Sequence, residues 1–159
     1  HQHNPEPTAM GALVTSVVRF LPYDREVKAI PIEVTIEQDL ALEVDGDKLK
    51  QVLINLIRNA VQAVEPRTGR VNVRVGCTPD RAYIQVVDNG TGIPDDHLER
   101  IWAPFFTTKE GTGTGLGLHV SKTIVERHDG SLECTSVPGK GTRMTIWLPI
   151  NLPTPQPQP

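Results

Sequence analysis

The chain has 159 residues, 38% of them hydrophobic, which suits one globular domain with a real core. Its formal charge is −3 and the basic residues are scattered, so there is no electrostatic footprint for nucleic acid. No apolar run approaches the roughly 20 residues that span a bilayer, and the two cysteines, Cys77 and Cys134, lack the spacing and histidine neighbours of a zinc site.

In chain order, the start HQHNPEPTAM has no initiator Met at position 1, no basic n-region and no hydrophobic run. No signal peptide is visible, and the chain reads as a piece of something longer. Residues 1–9 read as a disordered linker. MGALVTSVVRFLPYDREVKA carries apolar residues at mostly helical spacing, interrupted at Pro22. Ile32, Val34 and Ile36, then Leu40, Leu42 and Val44, alternate with polar residues as two short strands. Asp45 is placed to cap the next segment, DKLKQVLINLIRNAVQAVE. There Leu49, Val52, Leu53, Leu56, Ile57, Ala60, Val61 and Val64 repeat at spacings of three and four, and Pro66 and Gly69 close the helix.

RVNVRVGC and RAYIQVVD form a hairpin joined through TPD. DDHLERIW reads as a short helix, and residues 103–114 as a lid-like loop. GLGLHVSKTIVERH is a second strong helix ended by Gly130. SLECTSV and TRMTIWLP are the last strands, and residues 151–159 are a proline-rich tail with no packing capacity. Strands and helices do not alternate strictly. The expectation is an α+β fold: a two-layer sandwich with a mixed, mostly antiparallel sheet of about five strands covered by three helices. The two thiols are expected in a reducing compartment, with a bridge between them left open.

Three stretches carry chemistry. On the long helix, Gln51, Asn55, Arg58, Asn59 and Gln62 share one stripe at about 100° per residue. A solvated polar face is one reading. Two asparagines one turn apart favour another, because each costs up to roughly 0.7 kcal/mol against Ala in a helix, and neutral amide oxygens suit a hard cation that already carries phosphate ligands. In EGTGTGLGLHV, glycines at 111, 113, 115 and 117 enter a helix whose free N–H groups would cradle an anion; the plain alternative is a flexible loop. No GxxxxGK[ST] is present, and GxGxxG does not follow a strand, which argues against P-loop and Rossmann sites. WAPFFTTKEGTG joins the two, and would pack by Phe105 and Phe106 while bringing Lys109 to a phosphate. DNGTGIPDD, behind the strand ending in Asp88, is a glycine-rich turn that opens with a negative charge where a phosphate binder wants none.

NLIRNAVQA, DNGTGIP, PFFTTK and GTGTGLGL, with GKGT trailing, resemble the N, G1, F, G2 and G3 boxes of the ATP-binding catalytic domain of bacterial sensor histidine kinases. That domain has the Bergerat nucleotide fold, shared with DNA gyrase B, the Hsp90 chaperone and MutL. The match covers roughly residues 10–150, and NAVQA with FFTTK particularly resembles kinases of the nitrogen-regulation type.

The resemblance implies that Asp88 accepts a hydrogen bond from the adenine amine, so it reads the base and not the phosphates. Gly90 and Gly92 would let the backbone pass close to the purine, with Thr142 supporting that end of the pocket. Asn59 would hold Mg²⁺ on the phosphates, Asn55 would assist, and Lys109 would contact phosphate. Gly113, Thr114, Gly115, Leu116, Gly117 and Leu118 would form the next turn and the start of its helix. Where many members carry a basic residue three positions after the metal asparagine, this chain has Gln62. Asn55 stands where the hydrolases have a glutamate base, and an amide cannot take a proton at neutral pH. The implied activity is that of a histidine kinase catalytic domain with ATP and Mg²⁺. The acceptor histidine would lie on a separate dimerisation and phosphoacceptor hairpin, and a response regulator would follow. Neither nucleic acid nor direct membrane contact is expected. The expected location is the cytoplasm, whether or not a longer protein is anchored in a membrane.

His97 reads as a surface residue, His119 as a candidate for facing phosphate, and His128 as a helix-end cation. Two other functions stay open: an ATPase of the same superfamily, and a nucleotide-binding or interaction module with a degenerate site.

Overall fold

The structure, a computed structural model, describes residues 3–21, 30–106 and 117–150. Through them run β1 (Glu6–Ala9), α1 (Met10–Arg19), β2 (Ile32–Ile36), β3 (Ala41–Val44), α2 (Gly46–Ala63), β4 (Val71–Cys77), β5 (Arg81–Asp88), α3 (Gly117–Arg127), β6 (Ser131–Val137) and β7 (Gly141–Pro149). Five strands form one sheet in the order β2-β4-β5-β7-β6. Only the β2–β4 pair is parallel. The expected sandwich with a mixed, mostly antiparallel sheet is the fold the chain adopts. The break read at Pro22, together with Lys109, Gly113, Thr114, Gly115, Leu116 and the tail, lies outside the described residues.

Local sequence explains α2 well. The Asp45 side chain accepts from Lys48 N at 3.2 Å, so the predicted cap is the cap. Leu49, Val52, Leu53, Leu56, Ile57, Ala60 and Val61 are all buried on one stripe. They pack on alternate residues of the sheet, among them Val73 and Val75 of β4, Ile84 and Val86 of β5, and Ile146 and Leu148 of β7. Each large side chain buried this way stabilises by roughly 1.5–3 kcal/mol. This packing fixes the polar stripe of α2 above the sheet's β5 and β7 ends.

Three expectations need correction. Residues 6–9 are not a disordered linker. They form β1, which pairs antiparallel with β3 from Glu6↔Val44 to Ala9↔Ala41. Its polar, proline-bearing sequence gives no alternation to read, because the order comes from backbone bonds to another strand. The next helix borrows its cap as well: Asp39 Oδ1 accepts from Gly11 N at 2.9 Å.

DDHLERIW is helical only as a 3-10 turn at Asp95–His97. The bonds that follow include Arg100 N to His97 O and Ala103 N to Arg100 O, the i to i+3 pattern of turns. At the end of α3, the residue with positive φ is Asp129 (59°), not Gly130. Gly130 is required for another reason, since a Cβ there would overlap the Trp147 carbonyl.

Candidate functional site

A cavity of about 720 Å³ opens between α2, the turn after β5 and the start of α3. That is within the usual range for small-molecule sites. Asn55, Arg58, Asn59 and Gln62 reach it from α2. Asp88 comes from the end of β5, Gly92, Ile93, Pro94 and His97 from the following turn, Thr142 and Met144 from β7, and Gly117 and Leu118 from α3.

Asp88 is 8% exposed, and its Oδ1 accepts from Gly90 N at 2.8 Å. Thr142 lies directly opposite in the β5–β7 register. Thr142 Oγ1 is 2.9 Å from Ser136 Oγ, which also receives Ile93 N–H at 2.7 Å and donates to the Gly141 carbonyl at 3.1 Å. With the one Ser136 proton used on that carbonyl, the Thr142 hydroxyl donates to Ser136, leaving Thr142 oxygen lone pairs free to accept.

The turn after Asp88 is held from both sides. Thr91 N donates to Ala63 O at the end of α2, and Gly139 N donates to Thr91 O from the β6–β7 turn. A side chain on Gly90 would strike the Ala63 carbonyl, and one on Gly92 (φ 77°) the Val137 carbonyl. Glycine is needed here first for protein packing. Gly92 also lines the cavity, and Gly90 does not.

Asn55 Nδ2 donates to the buried Ser121 Oγ at 3.0 Å, which ties α2 to α3. A side chain at position 117 would run into that same amide. Of the residues named from sequence, Asn55, Asn59, Asp88, Gly92, Gly117, Leu118 and Thr142 meet at one cavity. Lys109, Gly113, Thr114, Gly115 and Leu116 lie outside the described residues.

The histidines divide differently from expectation. His97 lines the cavity, meets Phe106 edge-on at 5.6 Å, and keeps Nδ1 sealed without a hydrogen-bond partner. His119 is not in the cavity wall, and its Nδ1 sits 3.3 Å from Trp102 O. His128 is buried, Nε2 accepting from Asp45 N at 3.0 Å and Nδ1 donating to Ile124 O at 2.9 Å. Both bonds together need the neutral ring with its proton on Nδ1. Phe106 faces the cavity, whereas Phe105 is 72% exposed with φ 67°, so only one of the pair anchors the loop.

Sequence reasoning missed Ser136, and the apolar wall of Ile93, Pro94, Ile101 and Met144. The inward alternation of β6 was the one available signal for Ser136. Cys77 and Cys134 are both free. Burial, and after it the charge of Asp88, pushes the Cys134 thiol up to about 11.

The family model described as "Histidine kinase-, DNA gyrase B-, and HSP90-like ATPase" matches residues 44–152. Sensor histidine kinase ZraS of Escherichia coli O157:H7 is 39% identical over 150 residues, which is 94% of this chain and 32% of that protein. Sporulation kinase B of Bacillus subtilis (strain 168) is 33% identical over 144 residues, 91% of this chain and 33% of its own length. The chain therefore spans about a third of the length of these curated relatives. Among solved structures, the mycobacterial sensor histidine kinase MprB superposes with a TM-score of 0.80 at 28% identity, covering 91% of this chain and 97% of that one. The chain belongs to the histidine kinase-, DNA gyrase B- and HSP90-like ATPase family, in which these relatives are sensor and sporulation kinases.

Proposed function

We propose that this chain binds ATP with Mg²⁺ and donates the γ-phosphoryl group to a histidine on a separate dimerisation and phosphoacceptor unit, from which a response regulator is phosphorylated. The observation that carries the reading is the buried Asp88 carboxylate beside Thr142 in a cavity whose other polar wall is Asn55 and Asn59. A buried acceptor suits the adenine amine. Guanine presents a carbonyl at that position, which sets an acceptor against an acceptor at a cost of about 1–3 kcal/mol. The domain is proposed to run over residues 10–150 with β1 attached, residues 151–159 being linker. A cytoplasmic location is part of the same proposal. Among the described residues no helix is long and apolar enough to cross a membrane.

The donor set fits Mg²⁺. Among the described residues no group of three or more His, Cys, Asp or Glu is placed to cage a cation. A cation here would rely on phosphate oxygens, water and the Asn59 amide, which is the chemistry Mg²⁺ accepts. When bound, Mg²⁺ supplies neutralisation of phosphate charge. Asn59 would hold it, Lys109 would add a cation, and Gly117 would bring the α3 backbone close. Asn55 offers no general base, so the site would hold ATP until the acceptor arrives.

Calorimetry with Mg²⁺ and a non-hydrolysable ATP analogue tests this, alongside a GTP analogue and Asp88→Asn. Adenine-selective binding that is lost in the variant supports the reading. Steady phosphate release from ATP by the chain alone would move it to the ATPases. Absence of binding would leave a degenerate interaction module.

A further inference from the structure

Three polar side chains stand in a row across the adjacent strands β5, β7 and β6. Asp88 pairs in register with Thr142, and Thr142 with Ser136. Asp88 and Thr142 line the nucleotide cavity, whereas Ser136 does not. Ser136 is half-buried on the same face of β6 as Leu132 and Cys134, one strand removed from the space a ligand would fill.

The bonds at Ser136 fix a direction. Ile93 N–H can only donate, and does so to Ser136 Oγ at 2.7 Å. The Gly141 carbonyl can only accept, and takes the Ser136 proton at 3.1 Å. A hydroxyl has one proton, so the third partner, Thr142 Oγ1 at 2.9 Å, donates to Ser136. The Thr142 proton is thereby turned toward β6 and away from the cavity. Thr142 offers a ligand oxygen lone pairs, and the Asp88 carboxylate beside it is an acceptor as well. An exocyclic amine brings two N–H groups to such a pair. An exocyclic carbonyl brings lone pairs against lone pairs. A Thr142 hydroxyl free to rotate would donate to that carbonyl and erode the preference.

We propose that Ser136 is a specificity-determining positioning residue: by taking up the Thr142 proton, it keeps both side chains at the base end of the cavity as acceptors and so selects a purine that carries an amine. The inference rests on the function proposed above. It assigns part of the base selectivity to a residue outside the cavity wall, acting through Thr142.

The test compares the unmodified chain, Ser136→Ala, Thr142→Val and the double variant. Calorimetry with Mg²⁺ measures affinity for non-hydrolysable analogues of ATP and of inosine triphosphate, whose base carries the carbonyl without guanine's 2-amine. Ser136→Ala also leaves Ile93 N–H without its acceptor, which is expected to weaken binding of both analogues alike. The ratio of the two affinities is therefore the diagnostic reading. Preference for the ATP analogue is expected to fall about tenfold in Ser136→Ala. It is expected to be equal in Thr142→Val and the double variant, where there is no Thr142 proton to release. Ser136→Thr keeps a hydroxyl on β6 and should restore the ratio. Ser136→Cys, with a weak donor and weak acceptor, should fall between, and it decides the matter if the alanine variant does not fold.

Weaker binding of both analogues at an unchanged ratio, in the alanine variant or in the cysteine variant that replaces it, would make Ser136 a structural tie and overturn the inference alone. A fall of the same size in the Thr142→Val background would overturn it too, because the effect would not pass through Thr142. So would failure of Ser136→Thr to restore the ratio. Absence of ATP-analogue binding by the unmodified chain overturns the function proposed above and this inference with it.

Discussion

The amide of Asn55 occupies the space that a side chain at position 117 would need, so α2 and the start of α3 are in contact through the lack of a Cβ on Gly117. The same amide donates to Ser121 one turn further along α3. Gly117→Ala gains up to about 1 kcal/mol of helix propensity. It also forces the Asn55 side chain or α3 aside, a cost of roughly 1–3 kcal/mol for overpacking. Net destabilisation is expected in urea unfolding. Asn55→Ala on top should recover part of it, because the obstacle is gone. Strictly additive effects of the two substitutions would show that the contact does not couple the helices.

Thr142 tests the other side of the cavity. Its hydroxyl bonds to Ser136 at 2.9 Å, and Ser136 in turn holds Ile93 N–H. Thr142→Val keeps the shape and the β-branched fit of β7 but removes the oxygen. Affinity for the ATP analogue is expected to fall about tenfold, equivalent to roughly 1.4 kcal/mol, while thermal stability changes little. Thr142→Ser should restore most of the affinity. An unchanged affinity in the valine variant would remove Thr142 from the site.

What could be read from sequence was what the sequence determines locally. The α2 period, the Asp45 cap and the β4–β5 hairpin depend on residues a few positions apart, and all were legible. β1 was not, because Glu6–Ala9 gain their order from β3, more than thirty residues on. The stripe of Asn55 and Asn59 was visible as a pattern, but its tie to Ser121 required the crossing of two helices. Gly90 and Gly92 were expected to let the backbone pass close to a purine, and the contacts the fold shows for them are with protein backbone. Their nearest neighbours, the Ala63 and Val137 carbonyls, come from elements that only the fold brings together. His97 sits in a polar string, DDHLER, where nothing distinguishes a cavity wall from a solvated face.

Cys134 lies on β6 with its thiol pushed up to about 11 by burial and then by the charge of Asp88. The thiolate is the reacting form. Alkylation by iodoacetamide at pH 8 is therefore expected to be far slower at Cys134 than for free cysteine, and to accelerate only as pH climbs toward 11. Peptide mapping by mass spectrometry reads this directly. Asp88→Asn removes the second of the two causes and should speed the reaction modestly at fixed pH. Labelling of native Cys134 as fast as free cysteine would contradict its half-buried placement beside Asp88.

Asp45 joins three parts of the molecule. Burial works against its charge, but the N–H groups of Asn4 and Lys48 outweigh burial and hold the carboxyl below its usual range. A carboxyl lowered in the folded state contributes stability that is fully present above its unfolded value, about 3.9. That contribution is lost as pH falls through the folded value. Asp45→Asn keeps the helix cap, because Asn caps helices about as well as Asp, but it loses the charge and the second acceptor oxygen that Asn4 N–H uses. The variant should be less stable than the native chain at pH 7, with the gap closing as pH drops below about 4. Asp45→Ala loses the cap as well, about 1 kcal/mol more, at every pH. Urea midpoints at pH 7 and pH 3 decide it. An Asn variant whose deficit persists undiminished at pH 3 would mean that the charge of Asp45 contributes nothing and that the deficit is the lost second acceptor for Asn4 N–H.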